Sequence, residues 1–329
     1  MAQQTNEKAA VVVQEILKQV PDGLAKATPL WEWLSKGGKK EATGGLYLQF
    51  PIKLIKNTTQ NFISGTSGVV GTTPSVQMQY GVLNWKYHYM SVNFTLEDHT
   101  IAQGKNQVVD FFAQKVKGAI SDRVRQLSSS VHGTSTSNSF LFEGLQDITA
   151  ASGTAYAGLT DTDYTDDTTA YLPLITTYAT PNYTSLNKMI QGVRARMQTS
   201  AFQSDGILGL MNTATYSYFL NSVVNSQRFV NEEAVAKMGF TGFYVNGVNF
   251  YLDADVPGTQ DGSTADNYIY IFPKEIMQFH SVYGLGKKSP FDEEVRMPTQ
   301  PIRSIQSFLC GNMACVNRRL VVVNKVFVA

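Results

Sequence analysis

The chain has 329 residues, of which 43% are hydrophobic and 16% charged, and its formal net charge is +1 at pH 7. This composition excludes a disordered chain, no stretch approaches the ~18 apolar residues of a membrane span, and near-neutrality leaves no basic footprint for nucleic acid. No charged residue occurs from 57 to 85 or from 206 to 227. This shortage of charge predicts that much of the surface is either buried against neighbouring subunits or covered by polar, uncharged side chains.

The N-terminal segment predicts an amphipathic helix followed by an arm. Apolar residues at helical spacing support the helix, which Pro21 ends: Ala9, Val12, Val13, Ile16, Leu17 and Val20. Residues 22–45 predict an extended arm, with Trp31 and Trp33 in its apolar anchor. The first residues lack the basic-then-apolar layout of a secretory signal, so we expect a protein that is made and kept in the cytosol.

Residues 46–96 predict a two-stranded ribbon. Apolar residues alternate from Leu46 to Leu54, and a second alternating run extends from Val76 to Tyr87. Because an isolated hairpin is marginal in water, we expect another subunit to cover its apolar face. The apolar set then changes from odd to even positions near Tyr89–Met90, which predicts a bulge or a transfer between sheets there.

The rest of the chain alternates between helical and strand patterns. Helices are predicted at 104–128, 186–197 and 213–224, and strands at 206–211, 243–245, 248–251, 268–272 and 320–328. Asn246-Gly247 is the favoured pair for a type I′ hairpin turn. This mixture predicts an α+β fold.

No motif for catalysis or for metal binding has the required spacing. Cys310 and Cys315 are too few for a zinc site and are predicted to be structural thiols. The Asp-rich run 161–167 lacks the glycine and the terminal glutamate of a calcium loop, and the four histidines follow no metal spacing. We therefore expect a non-enzymatic protein with no cofactor and no metal ion.

The order of these elements along the chain is similar to that of a known fold, and several short segments are similar to its members in amino-acid sequence. The segments are 246–258 (NGVNFYLDADVPG), 268–273 (YIYIFP) and 311–319 (GNMACVNRR), together with helix 213–224 and the Gln227-Arg228-Phe229 that follows it. In these features the chain resembles the major capsid protein of tailed bacteriophages, the Hong Kong 97-type fold. The segments cover about a third of the chain, whereas the order of elements covers nearly all of it.

The resemblance implies a division of the chain into five parts. They are an N-terminal helix and arm (1–45), an extended β-hairpin loop leading into the peripheral domain (46–96), a peripheral domain with a long spine helix (97–139), an axial domain (140–300) and C-terminal strands that return to the peripheral domain (301–329).

The resemblance also implies a function and partners. Copies of the chain would assemble through hexamers and pentamers into an icosahedral shell around double-stranded DNA, without sequence-specific contact and without a membrane. A separate scaffolding protein, a portal and cement proteins are expected partners, and assembly into the virion capsid is expected in the host cytoplasm. The alternatives are a bacterial nanocompartment (encapsulin-like) shell protein and, from another class, a secreted β-rich binding protein.

Two sets of residues follow from the resemblance. The candidates for the subunit interface are Lys53, Lys56, Phe62, Ile63, Trp31, Trp33, Arg318 and Arg319. Some family members form a covalent link between a lysine of the extended loop and an asparagine of the peripheral domain. The candidates for that link are Lys53, Lys56, Asn317 and Asn324.

Overall fold

A computed structural model describes residues 28–53, 62, 78–95, 111–161, 171–178, 182–197, 206–223, 242–258, 267–285, 294–296 and 302–325. The predicted N-terminal helix, Lys56, Ile63 and most of the uncharged segment 57–75 lie outside the described residues. Within the described ranges, no helix is long and apolar enough to cross a membrane.

The described helices agree with the periodicity of the sequence except in the arm and at 145–148, where no helix was predicted. They are α1 (Pro29–Lys36), α2 (Phe111–His132), α3 (Leu145–Ile148), α4 (Tyr183–Arg196) and α5 (Thr213–Val223), with 3₁₀ turns at Lys274–Ile276 and Arg318–Leu320. Helix α4 begins at a capping box, in which the Asn182 side chain accepts a hydrogen bond from the Ser185 amide at 2.8 Å.

The prediction of an extended arm is wrong for residues 29–36, which form α1. Pro29 occupies the start of this helix, where its missing N–H costs nothing, and Leu30 and Leu34 are fully buried one turn apart. Glu32 and Lys36 form an ion pair at i,i+4 on its other side. Helical spacing of the apolar anchor therefore outweighed the glycine-rich flanks.

The strands of the described residues form three sheets. They are β1 (Lys39–Glu41), β2 (Leu48–Lys53), β3 (Met78–Leu83), β4 (Lys86–Thr95), β5 (Leu174–Thr176), β6 (Ile207–Met211), β7 (Gly242–Val245), β8 (Val248–Leu252), β9 (Ile269–Pro273), β10 (Met277–Tyr283), β11 (Glu294–Arg296), β12 (Ile302–Cys315) and β13 (Val322–Asn324). One sheet has six strands in the order β5-β13-β9-β6-β8-β7. A second has the order β1-β10-β12-β11, with β4 also paired to β12, and the third is the β2-β3 ribbon.

The six-stranded sheet carries a hydrophobic core. Every residue of β6 and of β9 is buried, as expected for central strands covered on both faces. Helices α4 and α5 pack on it, and they bury Leu186, Ile190 and Phe219 against Phe250 and Ile271. Parallel pairing joins β6 to β8 and β5 to β13, whereas β9 runs antiparallel to both of its neighbours.

The chain divides into two compact units. The smaller contains described residues of the ranges 87–127 and 282–310, and the larger contains those of 27–86, 128–281 and 311–329. The six-stranded sheet and the β2-β3 ribbon lie in the larger unit.

Several predicted elements of the second half are confirmed. The hairpin β7-β8 turns at Asn246 and Gly247, whose φ angles of 49° and 79° are those of a type I′ turn. The end of the chain differs from the predicted strand at 320–328. The structure ends β12 at Cys315, inserts a 3₁₀ turn, and resumes with β13 at 322–324, while residues 326–329 lie outside the described ranges.

Candidate intersubunit surface

The β2-β3 ribbon has one buried face and one exposed face. Antiparallel pairing places Phe50 opposite Gly81, and Leu48, Ile52 and Leu83 are buried beside it, with Phe50 only 6% exposed. The β3 strand also donates a hydrogen bond from its Val82 amide to the Ala157 carbonyl at 2.8 Å. The expectation that another subunit covers this apolar row is therefore wrong for the described residues, because the same chain covers it.

The exposed face of the ribbon is apolar as well. Met78 and Tyr80 are 57% and 59% exposed, and Val82 is exposed beside them. Residues opposite each other in an antiparallel pair share a face, so Pro51 adjoins Tyr80 and Lys53 adjoins Met78. We name the exposed side chains of Met78, Tyr80, Val82 and Pro51 the outer ribbon face. A row of large apolar groups in water is a mark of an interaction surface.

Other exposed apolar residues lie near the start of the ribbon or within its sequence. Leu46 and Tyr47, directly before β2, are exposed, and so is Phe62, a predicted interface residue. Lys53 is also exposed. Two further predicted interface residues, Lys56 and Ile63, stay predictions because they lie outside the described part of the chain.

The change of apolar phase occurs four to five residues earlier than predicted. In β3 the odd-numbered residues Gly81 and Leu83 are buried, whereas in β4 the even-numbered residues Val92 and Phe94 are buried. The change falls at 84–85, between the two strands, so the prediction of a switch near Tyr89–Met90 is wrong. The exposed tyrosines of β4 caused this wrong prediction, because they count as apolar in the sequence pattern but face solvent in the fold.

The smaller unit exposes apolar groups of its own. Tyr87 and Tyr89 project from β4 into solvent, and Tyr89 lies 6.3 Å from the Phe308 ring. On α2, Ile120 is exposed, while Arg123 donates a hydrogen bond to Ser307 at 2.9 Å. This unit therefore also presents aromatic surface, beside polar contacts that fix α2 on β12.

The two predicted tryptophans serve the subunit's own core. Trp31 is buried and meets Phe279 edge-on, with 5.2 Å between ring centroids. Trp33 is half-buried, and its indole ring lies against the backbone of Gly37 and Gly38 at the end of α1. Trp31 therefore fastens α1 to β10, whereas Trp33 packs within the arm.

Arg318 is a buried core residue. Its guanidinium lies 5.2 Å from the centre of the Tyr171 ring and donates a hydrogen bond to the Ala150 carbonyl at 2.9 Å. Burial lowers the pKa of Arg318. Its neighbour Arg319 is half-buried, and the Arg319 carbonyl accepts a hydrogen bond from Arg196 at 2.9 Å.

The asparagines predicted for a cross-link have defined places. The Asn317 side chain caps the 3₁₀ turn by accepting a hydrogen bond from the Arg319 amide at 3.2 Å. Asn324 is fully buried, and its carbonyl oxygen accepts hydrogen bonds from the Thr176 hydroxyl at 2.9 Å and the Tyr178 amide at 2.8 Å.

A buried histidine–aspartate pair has no signal in the sequence. His132 Nε2, at the end of α2, lies 3.2 Å from Asp253 Oδ2, which also accepts the Leu30 amide of α1 at 3.3 Å. Burial has the largest single effect on the pKa of His132 and lowers it, but the charge of Asp253 and the hydrogen bonds to Asp253 and Ser128 together outweigh burial, so the net shift is upward. Asp253 thereby holds α1 and α2 to the turn after β8. The ligand atoms of His132, Asp253 and Asp255 lie within 4.8 Å of one another.

Other buried groups agree with the sequence-based expectations only in part. Cys310 and Cys315 are free, buried thiols, as predicted, and burial raises the pKa of Cys315 to about 12, which leaves it unreactive. Asp161, the first residue of the Asp-rich run, is buried, which the composition of that run did not predict, and it accepts a hydrogen bond from the Gly153 amide at 2.9 Å.

Comparison with known proteins identifies the fold. No protein-family model matches the chain, and no curated protein matches it. The capsid asymmetric unit of cyanophage A-1(L) is 11% identical, with a TM-score of 0.66 over 95% of this chain and 96% of that chain. The capsid of the native GTA particle is 9% identical, with a TM-score of 0.61 over 94% of each chain. The holo-SrpI encapsulin complex of Synechococcus elongatus PCC 7942 is 9% identical, with a TM-score of 0.58 over 96% of this chain and 94% of that chain.

These likenesses extend over nearly the whole chain, and at such identities they concern the fold. The predicted fold class is thereby confirmed. The chain has the α+β fold of tailed-phage major capsid proteins.

Proposed function

We propose that the protein is a capsid subunit, which assembles through hexamers and pentamers of itself into an icosahedral shell around double-stranded phage DNA. The observation that carries this proposal is the capsid fold, shared over 95% of the chain with the cyanophage A-1(L) capsid. A function built on many copies also accounts for the apolar side chains that a single copy leaves in water.

The outer ribbon face is the contact proposed between subunits. Met78, Tyr80 and Val82 form a row on one strand, and Lys53 lies at the end of that row beside Met78. Aromatic and methionine side chains are typical of the cores of protein interfaces, and lysine of their rims. Burial of this row against another copy would cover what the subunit cannot cover itself.

The parts of the chain have proposed roles in such a shell. The loop 46–96 lies on a neighbouring subunit, residues 97–139 and 301–329 build the peripheral domain, and residues 140–300 surround the centre of each capsomer. The arm 1–45 reaches adjacent subunits. The cross-link proposed for Lys53 or Lys56 with Asn317 or Asn324 requires approach from a second copy; the exposure of Lys53 supports its availability, and Asn317 is the more accessible asparagine because Asn324 is fully buried.

Partners and location follow from the same proposal. A net charge of +1 suits a container that does not bind its DNA by sequence. Scaffolding, portal and cement proteins are the proposed additional partners, and the host cytoplasm is the proposed place of assembly before the subunit becomes part of the virion.

A nanocompartment shell is the second candidate, because the encapsulin fold also matches, with the lower TM-score of 0.58. The neighbouring genes distinguish the two functions. Terminase and portal genes beside this one support the phage capsid, whereas a gene for a cargo enzyme supports the nanocompartment.

Negative-stain electron microscopy of the purified full-length chain tests assembly. We expect closed particles or rings of five and six subunits, together with fast-sedimenting species in velocity centrifugation. A monodisperse monomer at every protein concentration and ionic strength, with or without a co-expressed scaffolding protein, would contradict the proposal.

A further inference from the structure

A buried cluster at the start of β4, just after the ribbon in sequence, brings an amine, a carboxylate and a carboxamide together. Lys86 Nζ lies 3.3 Å from Glu143 Oε1, and Asn312 Nδ2 donates a hydrogen bond to Glu143 Oε2. The three residues are far apart in sequence, and all belong to the larger unit. Glu143 therefore bridges a potential nucleophile and a potential acyl group.

The carboxamide of Asn312 is held in the manner of a reacting acyl group. Its carbonyl oxygen Oδ1 accepts the backbone N–H of Met313 at 2.8 Å and that of Glu143 at 3.2 Å. Two N–H donors on one carbonyl oxygen polarise the carbonyl and stabilise the oxyanion of a tetrahedral intermediate. The nitrogen Nδ2 also donates to the Asn84 carbonyl at 2.8 Å, which fixes the amide plane.

The amine is equally confined. Lys86 is 8% exposed, and its Nζ donates a hydrogen bond to the Ser139 carbonyl at 2.6 Å as well as contacting Glu143. Asn312 is fully buried, so bulk water is kept from its carbonyl carbon, while Glu143 contacts both the Asn312 nitrogen and the lysine amine. A carboxylate in contact with both groups is placed to carry a proton from the amine to the amide nitrogen.

We propose that Lys86 and Asn312 become joined by an isopeptide bond within one chain, with Glu143 as the proton carrier. Glu143 Oε1 takes a proton from the Lys86 ammonium, and the free amine attacks Cγ of Asn312. The Cγ–Nδ2 bond then breaks, and the second amine proton passes through Glu143 Oε2 to the leaving nitrogen. One lysine ammonium and one carboxamide become one secondary amide and one ammonium ion, so no oxidant or other reactant is needed.

This bond is distinct from the intersubunit link predicted for Lys53 or Lys56, and it does not depend on the proposed shell function. It ties the start of β4 to β12 inside the subunit. It would therefore already form in an unassembled subunit.

Intact-mass spectrometry of the denatured, full-length chain tests the proposal. We expect a mass lower than that of the sequence by one ammonia molecule, and a protease digest should contain a branched peptide that joins Lys86 to Asn312. The full sequence mass in the folded wild-type protein overturns the proposal. A mass gain from conversion of Asn312 to aspartate also overturns it, because water would then be the nucleophile.

Matched variants test which side chains take part in the proposed bond. Lys86→Met and the isosteric Glu143→Gln should each retain the full sequence mass, whereas Lys53→Met, at an exposed ribbon lysine, should still lose ammonia. Circular dichroism establishes that each variant is folded before its mass is interpreted. Undiminished loss in Glu143→Gln overturns the role of the carboxylate. Ammonia loss located at Asn246-Gly247, where a succinimide would have the same mass, overturns the bond itself.

Discussion

The ribbon and the six-stranded sheet are built from similar residues, but they differ in how much of each strand is buried. In the sheet, β6 and β9 are buried along their whole length, so their sequences are continuous apolar runs. In the ribbon, burial alternates strictly along β2, yet the solvent side still carries Tyr80 and Met78 on β3. The sheet buries these central strands within one chain, whereas the outer ribbon face leaves Tyr80 and Met78 in solvent. Substitutions in the two regions should accordingly affect different properties.

The largest loss of subunit stability is expected in the sheet. Phe250 is fully buried against Gly209, so Phe250→Ala leaves a cavity and should lower the free energy of unfolding by about 3–5 kcal/mol, measured by urea denaturation. Tyr244→Phe, on the exposed side of the adjacent strand, is the control and should change it by less than about 0.5 kcal/mol. A small effect at Phe250 would show that this sheet is not the dominant core.

A smaller loss is expected on the inner ribbon face. Phe50→Ala should cost about 2–3 kcal/mol in the unassembled subunit, because a two-stranded ribbon relaxes into the space more readily than a central sheet. The paired control is Gln49→Ala on the opposite face, which should be nearly neutral. If Phe50→Ala left the subunit's stability unchanged, the cover of this face would have to come from another copy after all.

The His132–Asp253 pair should make stability depend on pH. The pKa of His132 is raised above 6.5 in the folded protein, so its stabilisation is complete below about 6.5 and is lost as pH rises through the folded value. His132→Gln should thus cost on the order of 1–3 kcal/mol at pH 6 and less at pH 9.

Comparing wild type with this variant at each pH removes the common contribution of His88 and His280, whose pKa values burial lowers. A cost that is equal at both pH values would contradict the ion pair.

The smallest effect on stability should accompany the largest effect on assembly. Tyr80→Asp on the outer ribbon face should change the unfolding free energy by less than about 0.5 kcal/mol, because the side chain is already in solvent. It should nevertheless abolish closed particles, since a charge would have to be buried in the contact. Tyr80→Phe should assemble normally. Particles that form equally well from Tyr80→Asp would place the contact elsewhere.

The sequence predicted what depends on local periodicity. The helices at 183–196 and 213–223 and the Asn246-Gly247 turn were accessible because spacing and turn chemistry act over a few residues. The position of the phase change could not be predicted, because Tyr87 and Tyr89 count as apolar whichever way they face. Exposure is decided by distant chain segments, which a strand pattern does not contain.

The contacts of the buried polar groups could not be predicted from the sequence for the same reason. Asp253 meets the Leu30 amide across 223 positions of sequence, and Glu143 meets Asn312 across 169. Neither spacing forms a motif. The predicted interface residues Trp31 and Arg318 had the right chemistry for an interface, but the fold uses them to anchor the arm and to support the core beneath Tyr171.

The pairing of Phe50 with Gly81 also bears on the fidelity of assembly. A Cβ at position 81 would lie 2.7 Å from the Phe50 ring, so the ring fits only opposite a glycine. A slip of one residue would place the ring opposite Tyr80 or Val82 and would turn every side chain of one strand to the other side. The glycine therefore fixes the alignment of the two strands. Each copy therefore carries the same Tyr80 and Met78 surface, and the proposed shell of many identical contacts would depend on such uniformity.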